Sequence, residues 1–131
     1  MKVFLGGTCN ESTWREDLIA LLTTDVAWYN PVVPDWTPEC MAEEVRQRES
    51  CDICLYTITP KMTGTYAIAE VVDDSNKRPD KTVFVVLEED GELRFNVSQK
   101  KSLMQVSSMV GENGAKSFFS LEAVAVYLNG I

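Results

Sequence analysis

The chain has 131 residues, and its 12 basic and 20 acidic side chains give a formal net charge of −8. This length is typical of a single domain, which we place at residues 1–131. The acidic balance disfavours a nucleic acid polymer or an anionic membrane surface as a partner, because both need clustered cations. The absence of histidine excludes Ser-His-Asp and Cys-His nucleophile systems.

The sequence shows no export signal, membrane span or cofactor motif. The apolar stretch in "MKVFLGG" is too short for a signal peptide, and no run of about 18 apolar residues occurs. We therefore expect a cytoplasmic protein with no membrane association. Cys51 and Cys54 of "CDIC" fall in a predicted strand, which favours small core residues over a redox or metal pair. We expect no metal ion and no cofactor.

Strand and helix patterns alternate along the chain. β-Branched and aromatic runs predict strands in "KVFLGG", "VAWYNPVV", "CDICLYTIT", "KTVFVVL" and "AKSFFS". Helical spacing of apolar residues predicts helices in "STWREDLIALLTT", "TPECMAEEVRQRES", "TGTYAIAEVVDDSN", "NVSQKKSLMQVSSMVGENG" and "SLEAVAVYLN". This alternation predicts an α/β, flavodoxin-like, doubly wound fold, with a five-stranded parallel sheet of order 2-1-3-4-5 and helices on both faces.

The loops that follow the strands are the expected ligand site. In doubly wound sheets, ligands bind outside the carboxyl ends of the strands, where the strand order reverses. The loops "GGTCNES", "VVPDWTPE", "ITPKMTGT" and "LEEDGELRFN" should therefore converge on one rim.

The first of these loops carries glycines and hydrogen-bonding side chains. Gly6 and Gly7 allow the backbone to approach a ligand closely, while Thr8 and Asn10 precede a helix N-terminus, which favours an anion or a sugar hydroxyl. A tight turn with Asn10 or Ser12 as the helix cap explains the same residues. The loop matches neither the dinucleotide-binding nor the triphosphate-binding glycine pattern.

One acid and one aromatic residue stand out in the following loops and helices. Glu70 lies among Ala, Ile and Val in "AIAEVV", near a helix start whose dipole favours its ionised form. It is a candidate nucleophile or base, or else an ordinary solvent-facing carboxylate. Trp36, beside Asp35, either stacks on a base or sugar or closes the edge of the core.

The segments "VFLGG", "CDICLYTITPKMTGTYAIAE" and "KTVFVVLEEDGELRFN" resemble the nucleoside 2-deoxyribosyltransferase superfamily, in particular its short nucleoside 2-deoxyribosyltransferase-like branch. The resemblance implies cleavage of the N-glycosidic bond of a (deoxy)nucleoside or nucleotide, by base exchange or hydrolysis through a glycosyl-enzyme intermediate. It implies Glu70 as the nucleophile, Glu44 as the acid that protonates the leaving base, with Glu43 as the neighbouring possibility, and Asn96 as a residue near the sugar.

The resemblance also implies a homo-oligomer and a small-molecule substrate. The residues expected to bind that substrate are Gly6, Gly7, Thr8, Asn10, Asp35, Trp36, Thr63, Gly64 and Thr65. Two positions differ from the family: Phe4 replaces a frequent tyrosine, and "TGT" replaces a frequent aspartate. These differences leave open a non-catalytic module that binds or senses a nucleotide-like ligand. A third alternative is a flavodoxin-type flavin protein, which should copurify yellow, or a receiver domain, which is disfavoured because "GGTCNE" lacks an acidic cluster.

Overall fold

The structure is a computed structural model that describes residues 1–9 and 11–131. Its strands are β1 (Lys2–Gly7), β2 (Ala27–Tyr29), β3 (Ile53–Ile58), β4 (Thr82–Val86), β5 (Glu89–Asp90), β6 (Leu93–Arg94) and β7 (Lys116–Phe118). Its α-helices are α1 (Trp14–Leu21), α2 (Pro38–Ser50), α3 (Tyr66–Lys77), α4 (Val97–Glu112) and α5 (Leu121–Asn129). A 3-10 turn, Pro79–Lys81, leads into β4.

Five strands form one sheet of order β2-β1-β3-β4-β7, and every pair within it is parallel. This arrangement confirms the predicted flavodoxin-like order, with β7 as the fifth strand of the sheet. Within the described residues, two strands lie outside it: β5 and β6 pair only with each other, as an antiparallel hairpin. The hairpin occupies the segment "LEEDGELRFN", which the sequence pattern predicted as a loop.

The core has two layers, one on each face of the sheet. Val3, Leu5 and Leu55 pack against α1 and α5, and the neighbouring strand residues Phe4 and Tyr56 pack against α3 and α4. All six residues of β3 are buried. Helices on both faces explain why the central strands read as nearly continuous apolar runs.

The helix signals around α2 and α4 are confirmed at the level of side-chain contacts. Thr37 Oγ1 accepts a hydrogen bond from the Cys40 backbone N–H at 3.1 Å, directly before Pro38 opens α2. α4 ends at Glu112 with Asn113 as its C-cap residue, and Gly114 then adopts a φ of +108°.

Two local details differ from the sequence prediction, and a third concerns the packing of α2. β2 has only three residues and ends before Pro31, since proline removes a ladder donor. Cys51 is the C-cap residue of α2 and not part of β3, although Cys51 and Cys54 are both buried in the same core layer. No residue of α2 is buried.

None of the helices in the described part of the chain combines the length and the apolar character needed to cross a membrane.

Candidate active site

A pocket of about 420 Å³ opens at the carboxyl ends of β1 and β3. β1 pairs with β2 on one side and β3 on the other, so the pocket lies where the strand order reverses. It brings together eight of the residues predicted from sequence: Gly6, Gly7, Thr8, Trp36, Glu44, Thr63, Gly64 and Glu70.

The other predicted residues lie elsewhere. Asp35 is exposed, and its backbone carbonyl accepts a hydrogen bond from the Cys40 thiol. Thr65 precedes α3 and lines a separate shallow groove. Asn96 caps α4: its Oδ1 accepts from the Gln99 N–H at 2.8 Å. Asn10 falls outside the described residues.

The loop after β1 lies directly against β3. Gly7 has a φ of +120°, and a Cβ built on it would lie 2.1 Å from the Thr57 backbone oxygen. A Cβ on Gly6 would lie 2.7 Å from the ring of Tyr56. Only glycine fits at this close approach, so the packing of the strands requires both residues. Both residues also line the pocket.

Thr8 links the first and third loops below the pocket. It is 3% exposed, its backbone N–H donates to the Thr57 carbonyl at 2.9 Å, and its Oγ1 accepts from the Thr59 N–H at 3.0 Å. Its side chain therefore connects the loops after β1 and β3 beneath the pocket and also lines the pocket.

Glu70 lies one turn into α3 and is 8% exposed. Its Oε2 has no hydrogen-bond partner among the described residues. Burial, together with a hydrogen bond to Glu44 and the charge of Glu44, raises the pKa of Glu70 to about 8. Two carboxyl groups from different helices thus line one pocket, and the proximity of Glu44 favours the protonated form of Glu70.

A buried ionic network lies behind the two carboxylates. Arg48 Nη1 is 3.7 Å from Glu70 Oε2, and Arg48 Nη2 contacts Asp74 Oδ1 at 2.8 Å and Asp73 Oδ2 at 3.1 Å. Asp74 has no solvent exposure and also accepts hydrogen bonds from the Tyr56 hydroxyl and from Arg78. The guanidinium of Arg48 is therefore fixed on Asp74, with one edge turned toward Glu70.

Sequence reasoning missed several pocket residues. Arg15 is 4% exposed and donates to the backbone carbonyls of Leu5 at 2.9 Å and Thr8 at 2.7 Å; burial lowers the pKa of its guanidinium. Arg48, which lies behind the pocket and does not line it, was also missed; it is four residues after Glu44 on one face of α2, and this spacing was the available signal. The apolar wall had no such signal; it comprises Pro31, Val32, Val33 and Met62.

The fold and the pocket define a flavodoxin-like α/β protein with paired carboxylates at the switch point of its sheet. The family model described as "Nucleoside 2-deoxyribosyltransferase like" matches residues 1–90, a range that includes Glu44 and Glu70. The chain belongs to this nucleoside 2-deoxyribosyltransferase-like family, which confirms the resemblance seen in the sequence. No curated protein and no solved structure matches it.

Proposed function

We propose that the protein cleaves the N-glycosidic bond of a (deoxy)nucleoside or nucleotide, by base exchange or hydrolysis. The observation that carries this proposal is the presence of Glu44 and Glu70 in one pocket, where Glu44 raises the pKa of Glu70. One carboxylate and one carboxylic acid in contact supply both functions that the reaction needs, a nucleophile and a proton donor.

The first step begins when the shared proton moves from Glu70 to Glu44 along their hydrogen bond. The Glu70 carboxylate attacks the anomeric carbon of the sugar, and the bond from that carbon to the base nitrogen breaks. The bonding electrons leave with the base, which takes the proton from Glu44. The product is a glycosyl ester on Glu70 and a free base.

The second step reverses the roles of the two side chains. A second base or a water molecule attacks the anomeric carbon, and the Glu44 carboxylate accepts its proton. The ester bond breaks and Glu70 leaves as a carboxylate. A base as acceptor gives exchange, and water gives hydrolysis.

Two exposed aromatic residues at the pocket fit a planar base. Trp36 is 54% exposed and Tyr66, at the start of α3, is 70% exposed, although both line the pocket. Large aromatic side chains left open to solvent at a pocket support stacking on a nucleobase.

The test is to incubate the protein with a panel of nucleosides and nucleotides and measure free base by chromatography. Glu70→Gln should lower base release about a thousandfold or more, and Glu44→Gln about a hundredfold or more. Glu43→Gln is the matched control, because Glu43 is adjacent on α2 but hydrogen-bonds Arg46 and Gln47. Full activity of Glu70→Gln would contradict the proposal.

A non-catalytic module that binds the same class of ligand is the second candidate. The observation that favours it is Phe4: this residue is fully buried, stacks on Tyr29 at 5.9 Å and has no hydroxyl to offer Glu70. Calorimetric binding of a nucleoside or nucleotide, with no base released from any member of the panel, would support this candidate.

We also propose that the chain forms a homo-oligomer. No residue of α2 is buried, and Met41 and Val45 on this helix are 53% and 45% exposed. Exposed apolar side chains on one helix support an interface with a second copy. Light scattering coupled to size exclusion tests this, and a monomer mass at every concentration would contradict it.

A further inference from the structure

We propose that Arg48 is the positioning residue that sets the geometry of the carboxylate pair, holding α2 with Glu44 against α3 with Glu70. This inference rests on the proposed function for its catalytic consequence. It concerns a residue that would act through Glu44 and Glu70 and would not touch the substrate.

The first argument is the way in which the guanidinium is held. Nε and Nη2 of Arg48 contact the two carboxylate oxygens of Asp74 at 3.2 and 2.8 Å, a forked pairing that fixes the plane of the group. The remaining nitrogen, Nη1, lies 3.7 Å from Glu70 Oε2. Since Arg48 is only 11% exposed, water screens this attraction poorly.

The second argument is the anchoring of Asp74 itself. This carboxylate is completely buried and contacts three donors, which are Arg48, Arg78 and the Tyr56 hydroxyl. Tyr56 lies in β3, at the centre of the sheet. The network therefore connects the guanidinium of Arg48 to the central strand of the sheet.

The third argument is the packing of α2. No residue of this helix is buried, so it lacks the apolar face that normally holds a helix on a sheet. Arg48 contacts Asp73 and Asp74 of α3 and lies one turn after Glu44 on α2. Its ion pairs therefore set the distance between the helix that carries Glu44 and the helix that carries Glu70.

The fourth argument concerns charge. The titratable groups that face Glu70 are Glu44 and Arg48 from α2, Asp74 from α3 and Tyr56 from β3. Among them Arg48 favours the ionised carboxylate, whereas the two acids oppose it. At 3.7 Å the cation stabilises charge on Oε2 without occupying it through a hydrogen bond, so the oxygen stays free to attack.

The decisive variant is Arg48→Gln, with Arg46→Gln as matched control. Arg46 is two residues away on the same helix, is 64% exposed and pairs only with Glu43 among the described residues. NMR titration of the Glu70 carboxyl carbon should show its pKa raised by about one unit in Arg48→Gln and unchanged in Arg46→Gln. An unchanged pKa in both would overturn the proposal, and this readout needs no enzymatic activity.

The kinetic readout is the pH profile of base release. Loss of Arg48 should lower kcat about tenfold to a hundredfold with little change in KM, and it should move the acidic limb of kcat/KM to higher pH. Arg48→Lys keeps the charge but loses the forked pairing, so it should restore the position of the limb and only part of kcat. A kcat in Arg48→Lys equal to that of the unmodified protein would overturn the positioning role.

The two proposals fail in distinguishable ways. Absence of base release from the unmodified protein refutes the proposed function, while the Glu70 titration still decides the role of Arg48. If Arg48→Gln does not fold, as circular dichroism would show, the kcat and Glu70 titration of Arg48→Lys decide it instead.

Discussion

Glu44 of α2 and Glu70 of α3 line the same pocket, although 26 positions separate them in the chain, and Glu44 raises the pKa of Glu70. A neighbouring carboxylate and a buried position both favour the protonated form of a carboxyl group. This relationship makes the protonation state of Glu70 the property on which both the chemistry and the pH dependence of stability depend.

The first prediction is that Glu44→Gln lowers the pKa of Glu70 from about 8 toward its ordinary value of 4.5. The substitution removes a negative charge and supplies an amide donor, and both changes favour the ionised carboxylate. A carbon-detected NMR titration measures the shift. Glu43→Gln, at the position before Glu44, should leave the pKa of Glu70 unchanged.

The second prediction concerns the stability of the folded protein as a function of pH. Because folding raises the pKa of Glu70 from 4.5 to about 8, the native state binds more protons than the unfolded state in this interval. The contribution of Glu70 to the free energy of unfolding is complete below the lower value and is lost as pH rises through the upper one. Urea unfolding at about pH 5 and about pH 9 should show this decline.

Glu70→Gln is the reference for that measurement, since an amide has no proton to lose in this range. The decline in stability from about pH 5 to about pH 9 should be smaller in Glu70→Gln than in the unmodified chain. Parallel curves for the two proteins would show that Glu70 titrates alike in the folded and unfolded states.

The third prediction concerns Asp90, which connects the hairpin to two loops at the pocket. Its Oδ2 accepts hydrogen bonds from Ser12 Oγ and Thr59 Oγ1, each at 2.6 Å, and Lys61 Nζ lies 3.7 Å from its Oδ1. Asp90→Ala leaves two buried or half-buried hydroxyls without their acceptor, so it should lower the free energy of unfolding by about 1–3 kcal/mol.

Chemical denaturation measures this loss, and Glu89→Ala is the control. Glu89 is adjacent in β5, but its partner is the exposed Arg94 at 2.8 Å, and such surface pairs contribute little. Equal stabilities of the two variants would mean that Asp90 does not connect the loops.

The parts of the molecule that the sequence predicted are those encoded by local pattern. The central strands were predicted correctly because helices cover both faces of the sheet, which makes each of these strands apolar throughout. Glu70 stood out because a carboxylate among Ala, Ile and Val is unusual on a helix that packs on a sheet. Thr37 and Pro38 marked the start of α2 because their effect on the backbone is local.

The parts that the sequence did not predict depend on contacts between distant segments. Arg48 lies on a helix rich in acidic and basic residues, a pattern typical of a solvent-exposed helix. Its pairing with Asp74 is seen only when α2 and α3 lie side by side in the fold. The hairpin β5–β6 has two residues in each strand, too few to show a periodic pattern. Asn96 is an exception: its capping of α4 is a local pattern with Gln99, but the family resemblance had assigned it to the sugar.

The last prediction is that Gly7→Ala destabilises the protein by several kcal/mol, whereas Gly111→Ala does not. At Gly7 the backbone has a φ of +120°, and the added methyl would meet the Thr57 backbone at 2.1 Å, so β1 and β3 would have to separate at the pocket. Gly111 lies in α4 with open space around its Cα, where alanine should add about 0.5–1 kcal/mol. Thermal unfolding of the two variants measures the contrast. Because the strain at Gly7 lies in the main chain, Gly7→Ser should be as unstable as Gly7→Ala. A stable Gly7→Ser would mean that the loop after β1 can move away from β3.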